Sequence, residues 1–369
     1  MAMKSFKKIL ALLLALSLLF AFAACGVKDN DEEESRETET TSDEREVKTE
    51  VAALFDPTGL GLVKLKNDRA YGYNVNYYTD PAEVASLIKQ GKVDIASLPL
   101  ELAAGLYAET SGGIQILAVN SLCYFHVLER GKNSVNSVSD LKGKTIYAYG
   151  EGTSVQFTIN SLLKKNSLNP DRDVNIKYMG SVEEVATAAV DGEIDFCILP
   201  EPFATSVVYK TNPEIYSTSA AEESSEADNE EQTSEPTAAA ASANGMRKTL
   251  SLAKAWSESE GFEQVSGCVV ARKEYIDNNP EIISEFLTFD EVSVNWINLA
   301  ADAAVPLLNQ GFFTDRALAE GSISGSNVKY LEGEKMEEAV GKTFDAMLEE
   351  LPDLIGGSVP DSGIYYKLP

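Results

Sequence analysis

A chain of 369 residues can hold roughly two domains at about 100–200 residues each, and its 44% apolar content is enough for packed cores. The formal charge is −27, from 58 acidic and 31 basic residues, and no stretch gathers Lys and Arg into a stripe, which argues against nucleic acid as a partner. Much of the excess is local. Asp29–Glu50 carries 11 acidic and 3 basic residues and Ser217–Gly245 carries 7 acidic and no basic ones, so more than half of the net charge lies in segments with little capacity to fold.

At the N-terminus, Lys4, Lys7 and Lys8 precede the apolar run Ile9–Phe22, which is too short to span a bilayer comfortably and is followed by small residues. This is the pattern of a secretory signal. Phe22-Ala23-Ala24-Cys25-Gly26 resembles the bacterial lipobox, so the reading is a signal peptide over 1–24, acylation of Cys25 and a membrane anchor of several acyl chains. Residues 25–50 are dense in Asp, Glu, Ser and Thr; with almost no apolar side chains to offset ordering entropy, they are expected to be a disordered tether.

The segment ALFDPTGLGLVKL, Ala53–Leu65, reads as a short strand, a turn and a helix start. Asp56 is placed to cap a helix whose first turn begins at Pro57, and Gly59 and Gly61 leave bare backbone there. Next comes Tyr77–Tyr107, in which Asp80 caps, Pro81 opens and Gly91 stops a helix, followed by the strand Val93–Leu98. Gly112–Gly131 is a long β-rich passage. Lys144–Asn166 repeats the strand, turn and helix order, with Thr153 or Ser154 as cap and Val155, Ile159, Leu162 and Leu163 on one face. Lys177–Tyr209 then repeats Tyr77–Tyr107 at an offset of 101 residues, matching Glu83-Val84-Ala85 with Glu184-Val185-Ala186, Gly91 with Gly192, Asp94 with Asp195, and Leu98-Pro99 with Leu199-Pro200.

Ser217–Gly245, without Val, Leu, Ile, Phe or Trp, is expected as a disordered surface insertion. Val265–Ile276 is a candidate return strand, and Pro280–Leu308 and Gly333–Leu351 read as helices. The repeat predicts two related α/β lobes joined by two crossings, a hinge. The expected division is 51–120 with 272–369 for the first lobe and 121–271 for the second.

In open parallel sheets, ligands settle outside the carboxyl ends of strands. The candidate ligand residues therefore lie in four turns: Asp56, Pro57, Thr58, Gly59, Leu60 and Gly61; Pro99, Leu100 and Glu101; Glu151, Gly152, Thr153 and Ser154 after Gly150; and Pro200, Glu201 and Phe203. Asn120 in the β-rich passage joins them. None of the turns contains Lys or Arg, whereas Glu101, Glu151 and Glu201 do occur in them. Either backbone N–H groups with Thr58, Thr153 and Ser154 hold an anion, or the ligand is neutral, aromatic or amine-bearing. Tyr124, Phe203 and Trp256 are candidate stacking faces.

Once Cys25 is acylated, Cys123, Cys197 and Cys268 remain in the apolar contexts LCYF, FCIL and GCVV. An odd number argues for small buried thiols in strands; a Cys123–Cys268 bridge is the alternative. His126, the single histidine, sits in an apolar strand-like run and reads as a packed core residue, not a base. The Asp56–Gly61 turn lacks the third glycine of GxGxxG and the Gly-Lys-Ser/Thr of a phosphate loop, and no metal-ligand spacing occurs. No cofactor is expected.

The lipoprotein signal, DPTGLG, GKVDIASLP, LKGKTIYAYGEGT, DGEIDFCILPEPFAT, VVARKEYIDNNPEIISEFL and the closing DSGIYY together resemble the substrate-binding proteins of ABC importers of the nitrate/sulfonate/taurine type, from about Val51 to Tyr366. The resemblance implies a type II periplasmic-binding fold of two α/β lobes joined by a two-strand hinge. It also implies a small-molecule ligand clasped between lobes, delivery to a membrane permease driven by an ATPase, an extracytoplasmic lipid-anchored location, a monomer and no catalysis. The alternatives are a ligand-binding sensor or surface lipoprotein without a transport role, and a pyrimidine-related enzyme of the same fold.

Overall fold

Strands and helices alternate from Thr49 onward, as the punctuation of the sequence requires. A computed structural model describes residues 49–68, 71–131, 134–213, 244–299 and 316–368, all within the unit Asp43–Pro369. The signal segment 1–24, Cys25, the tether as far as residue 48 and most of the acidic insertion lie outside the described residues.

The first half runs β1 (Thr49–Leu54), α1 (Pro57–Leu60), α2 (Val63–Asn67), β2 (Tyr73–Tyr78), α3 (Pro81–Lys89), β3 (Ile95–Pro99), α4 (Leu100–Glu109) and β4 (Ile114–Leu122). The second runs β5 (Phe125–Arg130), β6 (Thr145–Ala148), α5 (Ser154–Lys165), β7 (Asn175–Tyr178), α6 (Val182–Asp191), β8 (Phe196–Pro200), α7 (Phe203–Thr211), β9 (Met246–Ser251) and α8 (Leu252–Glu260). The chain closes with β10 (Val265–Arg272), α9 (Lys273–Asn278), α10 (Pro280–Leu299), α11 (Arg316–Gly325), β11 (Val328–Leu331) and α12 (Gly333–Glu350).

The caps read from sequence are present: Asp80 accepts from Ala82 N–H, Ser181 from Glu184 N–H and Thr153 from Val155 N–H, and Gly192 ends α6 at φ 82°. Two segments begin or end differently from expectation. Thr49 and Glu50, assigned to the tether, belong to β1, where the Thr49 hydroxyl bonds Tyr275 Oη at 2.7 Å. Asn244 and Gly245, assigned to the insertion, are held by Arg130 Nη1 (2.8 Å) and Gly131 N–H (3.0 Å). Of the expected helix Pro280–Leu308, the part to Leu299 is α10; the remainder lies outside the described residues.

There are two mixed sheets, ordered β11-β4-β10-β3-β1-β2 and β7-β6-β8-β5-β9. In each, a central strand pairs in parallel with two others, and an antiparallel strand sits beyond the third: β10, which follows the whole second sheet in the chain, beside β3, and β5, the first strand after the crossing, beside β8. The repeat is thus visible as the order 2-1-3-10-4 mirrored by 7-6-8-5-9. β10 belongs wholly to the first sheet, so residues 265–271 leave the second lobe to which the expected division assigned them.

The chain crosses between sheets at Cys123–Tyr124 and again between α8 and β10. The two crossings are bonded to each other, Cys123 N–H donating to the Gln264 carbonyl at 3.0 Å. One apolar cluster runs through both halves and includes Leu98, Val119, Ile146, Phe157, Trp256 and Phe344. Cys123, Cys197 and Cys268 are free and buried, and burial pushes the first two thiols up to about 12.

Candidate functional site

The turn after β1, the first of the expected lips, is held rigidly from below. Asp56 Oδ1 accepts from Thr58 N–H (2.8 Å) and from its hydroxyl (2.6 Å), and the Thr58 carbonyl in turn takes Ser97 Oγ (2.6 Å) and Asn120 Nδ2. The Gly59 carbonyl takes Tyr77 Oη at 2.9 Å. A Cβ on Gly59 would lie 1.9 Å from the Leu54 carbonyl oxygen, so only glycine lets α1 rest on the end of β1. Asn120 and Ser121 flank Gly267 under this turn, and Asn120 Oδ1 and Ser121 Oγ are buried without hydrogen-bond partners.

Around this lip the fold gathers side chains from four other places. Burial raises the Asp56 carboxyl above its ordinary value against the opposing pull of its Thr58 and Gly59 contacts. Burial also raises Glu101, at the start of α4; the Ser154 hydroxyl and N–H at the start of α5 favour its charged form, and the neighbouring Asp56 opposes it. Tyr124, on the first crossing, and Tyr149, after β6, are both pushed up by burial and then by the charges of Asp56 and Glu101. No basic side chain among the described residues acts on either carboxyl. Asp56, Glu101, Tyr124, Tyr149 and Ser154, from the carboxyl ends of both sheets, are thus linked electrostatically.

Other candidates are placed differently. Leu60 packs with Val63 and with Val294 and Ile297 of α10, and Leu100 is in the main core, so both apolar side chains are taken up by packing. Trp256, expected as a stacking face, is 0% exposed, with Phe157 at 5.2 Å and Phe262 at 5.8 Å across its rings. Phe203 is partly buried against the apolar cluster of the second half.

Glu201 is 1% exposed and its carboxylate is already taken: Lys248 Nζ lies at 2.7 Å, Thr205 N–H at 3.1 Å and His126 Nε2 at 3.5 Å. Sequence reasoning missed Lys248, which lies 47 residues downstream beyond the acidic insertion. It also missed Tyr149, although an aromatic just after β6 and immediately before Gly150 was a usable signal. Pro57 and Thr58 are buried in α1, Pro99 and Pro200 end their strands, and Thr153 Oγ1 donates to the Gly150 carbonyl at 2.6 Å while capping α5. Gly61 abuts Val294, and Glu151 and Gly152 are exposed on the second lip. Among the described residues, no group of three or more His, Cys, Asp or Glu is arranged to hold a metal, and no helix is long and apolar enough to cross a membrane.

Solved structures share this architecture. An ABC transporter protein from Parabacteroides distasonis aligns over 87% of this chain and 99% of its own at TM-score 0.65 and 19% identity. The aliphatic sulphonate binding protein SsuA of Escherichia coli aligns over 84% and 93% at 0.58 and 14%. The alkanesulfonate-binding SsuA of Xanthomonas axonopodis pv. citri, bound to MOPS, aligns over 87% and 98% at 0.57 and 14%. At these identities the likeness establishes the periplasmic-binding fold. No curated protein matches in sequence. A model described as ABC transporter, phosphonate, periplasmic substrate-binding protein matches residues 65–250, half of the chain. With its two-sheet fold, the chain therefore belongs to this family of ABC-transporter periplasmic substrate-binding proteins and is an extracytoplasmic solute-binding component of an importer.

Proposed function

We propose that the chain clasps one small solute between its lobes, at the cluster of Asp56, Glu101, Tyr124, Tyr149 and Ser154, and hands it to a permease driven by a cytoplasmic ATPase. What supports this reading is that groups at the strand ends of both sheets act on one another's charge, at the place where open sheets bind ligands. The protein acts as a binder, not an enzyme: its only histidine is buried against Glu201. It works as a monomer of the nitrate/sulfonate/taurine type, held on the outer face of the cytoplasmic membrane through acylated Cys25.

Two experiments test this. A thermal-unfolding panel of phosphonates, sulfonates, nitrate, pyrimidines, flavins and amines should contain one class that raises the melting temperature, since a ligand bound only by the folded state stabilises it by mass action. A panel without any such class, together with stabilisation by a nucleotide, overturns the reading. For the anchor, Cys25→Ala should abolish incorporation of labelled fatty acid and release the protein from membranes; persistent labelling overturns the lipid attachment.

A further inference from the structure

Helix α11 touches both lobes, and it does so with opposite faces. Ala319 and Ile323, four residues apart, are buried with Leu60, Val63, Val294 and Ile297 of the first lobe. Gly321 and Gly325 each lie two residues further along, about 200° round the helix, and meet the second lobe. The Gly321 carbonyl accepts from Thr205 Oγ1 of α7 at 3.1 Å, and the Gly325 carbonyl stands 3.4 Å from His126 Nε2 of β5. A Cβ on Gly325 would lie 2.4 Å from Glu201 Oε1 and 3.0 Å from Glu201 Cγ, yet the Gly325 φ is not positive, so glycine serves close approach there and not a turn. The surface it approaches is fixed in place. Glu201 Oε1 takes Lys248 Nζ at 2.7 Å, and the same Nζ donates to Thr205 Oγ1 at 2.9 Å, which commits the Thr205 proton to the Gly321 carbonyl.

Resting on the reading that the lobes open and close around a solute, we propose that α11 is a strap: it is fixed to the first lobe by its apolar face and latched to the second by its glycine face. The two faces differ in what parting them exposes. Lifting Ala319 and Ile323 from their neighbours would bring apolar surface into water. Parting the glycine face exposes two carbonyls and a hydroxyl, which water satisfies at once, so little net free energy opposes the separation. The chain also leaves α11 for the first sheet directly, since β11 begins at Val328 and the Asn327 carbonyl accepts from Leu122 N–H at 3.0 Å. Opening therefore divides the molecule between α11 and α7, and closing seats Gly325 on Glu201. This gives Glu201, buried and already neutralised by Lys248, a part in closure in place of the ligand contact that its turn suggests.

The test measures the spacing of the lobes without added solute. In the Cys25→Ala chain, spin labels are placed at Glu83→Cys on α3 and Glu183→Cys on α6, both exposed, while Cys123, Cys197 and Cys268 are buried away from the reagent. The distance distribution is then read by pulsed dipolar spectroscopy. Gly325→Ala, whose methyl group drives against Glu201, should shift the distribution to longer distances with unchanged far-ultraviolet dichroism. Thr205→Val, which removes the hydroxyl donor to Gly321 and keeps the side-chain volume, should shift it in the same direction. Gly105→Ala, whose Cβ meets nothing within 4 Å, should leave it as in the parent. A distribution unchanged in Gly325→Ala overturns the strap, and so does an equal shift in Gly105→Ala. If Gly325→Ala fails to fold, Thr205→Val decides alone, and an unchanged distribution there overturns the strap. Because the readout needs no solute, failure of the strap leaves the solute-binding reading to be judged by the thermal-unfolding panel.

Discussion

The hydroxyl and backbone N–H of Ser154, at the first residue of α5, favour the charged form of the Glu101 carboxyl, at the start of α4, so a residue of one sheet's helix layer answers a residue of the other's. We expect this tie to hold the two helix starts together without a ligand. Glu101→Ala removes the acceptor and should increase the radius of gyration of the unliganded protein in solution scattering, while far-ultraviolet dichroism stays unchanged. An identical radius would show that the tie does not hold the lips.

A second pair of relationships repeats between halves. Arg272 at the end of β10 holds Asp94 at 2.7 Å and the Val93 carbonyl at 3.1 Å; Arg130 at the end of β5 lies 3.6 Å from Asp195 and 3.3 Å from the Ile194 carbonyl. Asp94 is mostly buried and also accepts from Glu50 N–H, whereas the Asp195 side chain is 72% exposed. Asp94→Ala should therefore cost about 1.5–3 kcal/mol in urea unfolding, as loss of a charge-assisted bond does, and Asp195→Ala at most about 1 kcal/mol, as for exposed pairs. Equal costs would contradict the asymmetry.

Two glycines separate close packing from open space. A Cβ at Gly59 would meet the Leu54 carbonyl oxygen at 1.9 Å, but one at Gly105, inside α4, would meet nothing within 4 Å. Gly59→Ala should cost roughly 2–3 kcal/mol or more, because backbone has to move. Gly105→Ala should stabilise by about 0.5–1 kcal/mol through the entropy of the unfolded chain. Chemical denaturation of both variants checks the pair, and a tolerated Gly59→Ala would refute the close approach of α1 to β1.

Asp290, on α10, is fully buried, with neither carboxylate oxygen hydrogen-bonded, and burial pushes it up to about 8. The folded chain keeps a proton that the unfolded chain releases near its ordinary value of 3.8. Stability from this group is thus complete at acid pH and is lost as pH rises towards 8, by at most about 1.4 kcal/mol per pH unit. Asp56 and Glu101 are raised as well and act in the same direction. Asp290→Asn should flatten the stability profile between about pH 6 and pH 8, measured as urea midpoints; a slope unchanged from the wild type would contradict the buried acid.

What the sequence determined by itself was local or periodic. Asp80 before Pro81, Ser181 three residues before Glu184 and Gly192 after an apolar stripe mark helix ends, because caps act over one turn of chain. The 101-residue offset carried the duplicated unit, because two copies of the same apolar pattern bury the same way. The strand ends, and so the turns that form the crevice, followed from those two signals. What the tertiary structure alone decided was which side chains meet. Leu60 and Leu100 lie in the predicted turns and Trp256 was expected as a stacking face, yet their apolar surfaces are drawn into cores whose other halves lie elsewhere in the chain. Glu201 and Glu101 look alike in sequence, each in a turn after a strand ending in proline. One is neutralised by Lys248, brought to it by the pairing of β9 with β5, and the other is left facing Asp56 and Ser154 with no cation beside it. Charge compensation in a buried site depends on distances of a few ångströms between residues far apart in the chain, and only the folded sheet order sets those distances.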